Sequence, residues 1–113
     1  MDPSFNTCLP SSPCPGRRIW SVDDIRRADR DAGRYYFSRN TMRAFRSRVG
    51  DKIHIGPGGI YFVTSEQREW NTERRYTVRQ FNMATCGVDT VGEFMQYDTN
   101  PQAHRAAARF ARF

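Results

Sequence analysis

The chain has 113 residues, 38% of them hydrophobic, and a mean hydropathy of −0.77, which allows one modest core and excludes a multidomain enzyme. Lys and Arg number 18 against 12 Asp and Glu, for a net charge of +6, and an aromatic content of 13% excludes wholesale disorder because a small core needs such bulky side chains. There is no apolar run long enough to span a bilayer and no basic leader followed by an apolar stretch, so a membrane span and a signal peptide are not expected and a cytoplasmic protein is.

Residues 1–16 carry Pro3, Pro10, Pro13 and Pro15 among Ser, Asn and Gly, which predicts a mobile arm ahead of a single domain over residues 17–113. Ordered structure is expected from Trp20. Ser21 reads as an N-cap, Asp24 completes a capping box, and Trp20 and Ile25 stand at the two positions of a hydrophobic staple. The first helix should then cover residues 22–32 and stop at Gly33, with Val22, Ile25, Ala28 and Ala32 on its apolar face. Arg26, Arg27 and Arg30 point away from that face, where Asp29 and Asp31 are available as local partners.

Tyr35, Tyr36 and Phe37 predict a short aromatic anchor, and the polar residues 38–41 supply caps for a second helical segment ending near Val49, before Gly50. Met42, Phe45 and Val49 form its apolar seam, flanked by Arg39, Arg43 and Arg46. Trp20 and Phe45 are the expected core anchors. Strands over residues 52–55 and 60–64 flank the hairpin turn Gly56-Pro57-Gly58-Gly59, a third covers residues 75–81, and a fourth covers residues 88–97 with Gly92 as a bulge or close-contact point. Asn100 and Pro101 read as the N-cap and N1 of a last helix reaching about Ala111, with Ala103, Ala107, Phe110 and Ala111 facing inward. Arg105, Arg109 and Arg112 make a second basic stripe on it. The order predicts an α+β domain: two N-terminal helical segments, a four-stranded antiparallel β-meander and a C-terminal helix.

Every basic residue except Lys52 is arginine, whose planar fork of donors suits phosphate and carboxylate. The two helical ends are net basic and residues 53–99 slightly acidic. Cys8, Cys14 and Cys86 lack C-x-x-C spacing and read as reduced thiols, so neither a disulfide framework nor a metal site is expected. The glycine-rich turn is not followed by Lys-Ser/Thr and a helix, so it is no phosphate loop. His54 on a strand and His104 on the last helix stand beside no recurring nucleophile; each reads as structural or surface, and no catalytic residue, enzyme activity or cofactor is expected. Tyr61, Tyr76, Trp70, Phe81 and Tyr97 could stack on bases, but the core is their expected place.

The segments Phe37-Ser38-Arg39-Asn40-Thr41-Met42-Arg43-Ala44-Phe45-Arg46-Ser47-Arg48, Gly58-Gly59-Ile60-Tyr61-Phe62-Val63-Thr64-Ser65-Glu66, Arg75-Tyr76-Thr77-Val78-Arg79 and Asp89-Thr90-Val91-Gly92-Glu93-Phe94 resemble an uncharacterised family of small bacteriophage and plasmid proteins, over about residues 19–111. That resemblance implies a phage or mobile element in a bacterial host and brings no catalytic residue with it. More weakly, Tyr76-Thr77-Val78 through Ala106-Ala107-Ala108 is similar to the closing strand and helix of the double-stranded RNA-binding domain, although Asn100-Pro101-Gln102 is uncharged where that domain carries a basic cluster. The expected function is a non-enzymatic accessory protein that binds nucleic acid through Arg39, Arg43, Arg46, Arg105, Arg109 and Arg112, with Arg26, Arg27 and Arg30 extending the surface. The alternative is an inhibitor that occupies the surface of a host protein, as an anti-CRISPR or polymerase-directed factor.

Overall fold

The computed structural model describes residues 18–113, and its first helix starts at the cap that the sequence predicts. The arm expected over residues 1–16, together with residue 17, Cys8 and Cys14, lies outside the described residues. Helix α1 (Val22–Asp31) is capped by Ser21, which accepts from Asp24 N while the Asp24 carboxylate accepts from Ser21 N. At its other end Gly33 N donates to Arg30 O and Arg34 N to Asp29 O, a Schellman turn that needs the positive φ of Gly33. The staple differs from expectation. Ile19 is buried and Trp20 is 70% exposed, because Ile19 continues the three-residue spacing of Val22, Ile25 and Ala28 toward the core.

Helix α2 (Arg39–Ala44) is shorter than predicted and buries none of its residues. Phe45 leaves helical geometry and Arg46 takes a φ of 48°, so Val49 joins a strand instead of completing a seam with Met42 and Phe45. Phe45 is accordingly no core anchor; 38% exposed, it leans on Phe94 with ring centroids 5.0 Å apart.

The strands β1 (Arg48–Gly56), β2 (Gly59–Glu66), β3 (Arg75–Asn82) and β4 (Gly87–Val91) form one antiparallel sheet in sequential order, followed by α3 (Asn100–Arg112), so the molecule is α+β as expected. Period-two alternation gives the sheet two buried faces. Phe62 and Phe81 meet Ile19, Val22, Ile25 and Ala28 on the α1 side, whereas Tyr61, Val63 and Val78 meet Ala103, Ala106, Ala107 and Ala111 on the α3 side. Cys86 is buried in the first cluster and, contrary to the reduced-thiol expectation, is disulfide-bonded.

Alanines let α3 lie close to the sheet, and glycines let its last turn touch the β1–β2 hairpin. Gly58 N donates to Ala111 O at 2.9 Å, and a Cβ on Gly56 or Gly58 would fall 2.2 or 2.1 Å from a backbone carbonyl of that turn. The fourth strand stops short of its predicted end at Tyr97 because Gly92, with a φ of 74°, turns the chain away. Tyr97 returns to exchange two backbone hydrogen bonds with Tyr76. The cap of α3 is Thr99 rather than Asn100, in a capping box with Gln102.

A polar knot sits on the same face of the sheet as α1, at the end where β2 finishes. Glu66 is fully buried and accepts from Arg79 Nη2 at 3.0 Å, from Thr64 Oγ1 at 2.6 Å and from Thr77 Oγ1 at 2.6 Å. Arg79 also donates to Thr64 Oγ1 and to Thr90 Oγ1, and its guanidinium lies between the rings of Tyr36 and Phe94. Thr77 Oγ1 accepts in turn from Met95 N at 2.8 Å, fastening the segment after β4 over the pair. Replacing Glu66 by Leu strands the Arg79 charge and should cost about 3–5 kcal/mol, with the E66L/R79M pair losing less than E66L alone in urea unfolding. In the same assay G58A should lose about 1–3 kcal/mol through overpacking, while W20A should stay within about 0.5 kcal/mol of the parent.

Candidate binding surface

Arginines face solvent on all three helices, and their neighbours separate them into two kinds. On α1, Arg27 pairs with Asp24 at 2.6 Å, Arg30 with Asp31 at 3.4 Å, and Arg26 approaches Asp23 at 3.8 Å while lying over the Phe37 ring. Their positive charge is largely answered within the helix. Asp29, expected among these partners, is instead buried; its Oδ1 accepts from Tyr36 N at 2.9 Å and holds the aromatic connection to α2. Burial pushes the Asp29 carboxyl upward, against backbone hydrogen bonds from residues 35–37 and the nearby Arg34 charge.

On α2 and α3 no such answer is found among the described residues. Among the described residues Arg39, Arg43, Arg105 and Arg109 form no ion pair, and α3 contains no acidic residue. Arg112 lies over the Phe113 ring, and Arg46 donates to Arg68 O at 3.4 Å. The two stripes do not share a face. The α3 stripe rides on the helix that covers Tyr61, Val63 and Val78, while α2 reaches the sheet through Phe45 and Phe94 on the α1 side.

Between them the sheet gathers basic residues that are scattered in the sequence. The register places Arg48 opposite Ser65, Arg75 opposite Glu66 and Tyr97 opposite Tyr76, so the start of β1, the 67–74 loop and the 92–98 segment share one end of the sheet. Arg74 donates to Ser65 Oγ and Ser65 O at 3.0 Å each and also to Arg46 O. Burial, aided by the Arg48 charge, lowers the Arg74 guanidinium below its ordinary value. Arg75 donates to Met95 O and Gln96 O and pairs with Asp98. Asp98 in turn lines an open cleft of about 380 Å³ with Gln96, Tyr97, Gln102, Arg105 and Arg109. A broken line of arginines therefore runs from α2, around this end of the sheet, to α3. Arg68, Arg74 and Arg75 are absent from the sequence-based set because only the register brings them to Arg46; the adjacent arginines at the start of a strand were the one available signal.

Of the aromatic candidates, Tyr61 and Phe81 are buried, Tyr76 and Tyr97 are half-buried, and Trp70 stands 76% exposed in the 67–74 loop. His54 and His104, read separately in the sequence, meet across the β1–α3 contact with His54 Nε2 and His104 Nδ1 3.0 Å apart. Among the described residues no three His, Cys, Asp or Glu side chains are grouped to hold a metal ion, and no helix is long and apolar enough to cross a membrane.

The profile of a family described as "Family of unknown function (DUF7447)" matches residues 21–108. No curated protein and no solved structure matches the chain.

The histidine pair makes the α3 contact sensitive to acid. Burial lowers both imidazoles, with Lys52 adding to the effect on His54, and His54 and Lys52 adding to it on His104 against the opposing Asp51 charge. The unfolded chain then binds more protons than the folded one, so stability is complete above the ordinary value of 6.5 and falls as the pH drops through the lower folded values. Urea midpoints should decline between about pH 7.5 and pH 5.5. The decline should be shallower in H104Q.

Proposed function

The chain belongs to the DUF7447 family, whose function is unknown, and we propose that it is a non-enzymatic nucleic-acid-binding protein that holds phosphates with the arginines of α2 and α3. One contrast carries this reading. The arginines of α1 are ion-paired with carboxylates, but among the described residues Arg39, Arg43, Arg105 and Arg109 form no ion pair, and each would release a counterion on meeting a phosphate. Arg46 and Arg112 flank the two pairs, while Arg26, Arg27 and Arg30 drop to a secondary role because binding there must displace existing ion pairs. Since the stripes stand on opposite sides of the sheet, the favoured ligand is a flexible strand that bends around the end carrying Arg74 and Arg75. A rigid duplex would reach one stripe at a time. This reading places the protein with small accessory factors of phages and plasmids acting inside a bacterial cell.

A protein inhibitor of a host enzyme, of the anti-CRISPR or polymerase-directed kind, is the second reading, and Trp70 favours it. An exposed indole in a loop that also carries Arg68 has the composition of a binding hot spot.

Salt titrations against single-stranded DNA, RNA and duplex DNA separate the two. The R39Q/R43Q and R105Q/R109Q variants should each weaken binding without loss of fold, and each lost phosphate contact should flatten the slope of log K against log salt by about 0.7 on single strands. Absence of wild-type binding to all three nucleic acids near 50 mM salt would overturn the nucleic-acid reading in favour of a protein partner.

A further inference from the structure

The cleft between α3 and residues 96–98 is walled by donors. Gln102 Oε1 accepts from Asp98 N at 3.2 Å and Thr99 N at 3.3 Å, and Gln96 Oε1 accepts from Glu93 N at 2.9 Å. A backbone N–H can only donate, so these bonds fix both amides with their oxygens turned to the backbone and leave the NH₂ groups for a ligand. Arg105 and Arg109, one helical turn apart on the same wall, form no ion pair among the described residues. The one carboxylate present, Asp98, is engaged by Arg75. Such a wall offers two guanidinium forks and two amide NH₂ groups, against the carboxylate of Asp98 that Arg75 already engages.

We infer that this cleft is the seat of a phosphate group, gripped by Arg105 and Arg109 and met by the amide NH₂ groups of Gln96 and Gln102. The inference rests on the nucleic-acid reading for its natural source of phosphate and narrows it to one place. The shared chemistry is a phosphate with several acceptor oxygens, supplied either by a nucleic-acid strand or as free phosphate.

The test uses a substitution that the fold itself suggests. In Q102E the carboxylate still accepts from Thr99 N, since glutamate is the ordinary partner in a capping box, but an acceptor oxygen replaces the NH₂ donor and faces the phosphate. Q96E keeps the bond from Glu93 N in the same way and serves as a second variant should Q102E fail to fold. The full-length chain is titrated with inorganic phosphate, with a 5′-phosphorylated oligonucleotide and with its unphosphorylated counterpart, while arginine side-chain N–H resonances are followed by NMR. Inorganic phosphate should move the Arg105 and Arg109 signals, and Q102E should weaken that binding about tenfold or more at an unchanged melting temperature. R39Q/R43Q should leave it intact. Phosphate binding by Q102E and Q96E equal to that of the parent, or phosphate shifts confined to Arg39 and Arg43, would overturn the seat. Loss of oligonucleotide binding with phosphate shifts retained at Arg105 and Arg109 would keep the seat, assign it to free phosphate, and overturn the nucleic-acid reading alone.

Discussion

The buried ion pair of Glu66 and Arg79 is the constraint on which the rest of the molecule depends. Two opposite charges inside a sheet are expensive to desolvate, and they persist only where further hydrogen bonds satisfy them. Here three threonines do so, one from each of β2, β3 and β4, and the pair therefore ties three strands together by their side chains as well as by their ladder. Its cover is recruited by the same chemistry. Tyr36 and Phe94 stack on the guanidinium, and Thr77 takes the Met95 N–H, so the connection before α2 and the segment after β4 are both drawn over the knot. The four sequence segments that carry the family resemblance all reach this place, Phe45 doing so through Phe94.

From the knot outward, each placement leads to the next. Met95 is held over Thr77, and Arg75 then clasps Met95 O, Gln96 O and Asp98, which sets the path into the Thr99 cap. The cap aims α3 across the opposite face of the sheet, where alanines permit close approach and the Gly56 to Gly58 turn receives its last carbonyls. The donor-walled cleft is thus a product of the route by which the chain crosses from one face to the other. Its Gln96 and Gln102 owe their orientation to backbone bonds made along that route.

Arginine does three different jobs here, and its abundance alone would not distinguish them. Arg79 is a core residue, Arg74 and Arg75 satisfy carbonyls where loops leave the sheet, and the helical arginines face water. The helical arginines have their forks most open to a ligand, and among them the carboxylates of α1 divide the paired from the unpaired. A positive net charge is therefore a weaker guide to a binding surface than the lack of an ion pair at particular guanidinium groups.

The sequence by itself determined what depends on near neighbours. The Ser21 and Asp24 box, the stop at Gly33, the hairpin over Gly56-Pro57-Gly58-Gly59, the α+β order and most of the inward faces of α1 and α3 follow from spacings of a few residues and are found in the structure, although on α3 Ala106 is buried and Phe110, expected inside, is exposed. Tertiary structure decided whatever pairs residues far apart. The α2 seam was not realised because the pairing of Val49 with Thr64 outweighed one more helical turn, and Trp20 yielded its place to Ile19 because the sheet surface, not the cap, chose which side chain to bury. No spacing announces that Glu66 will face Arg79, that His54 will meet His104, or that Arg46 will lie against Arg74. Side-chain alternation along a strand is local, but the register that selects its partners is set by the joint packing of both faces, and a shift of one residue would exchange every contact.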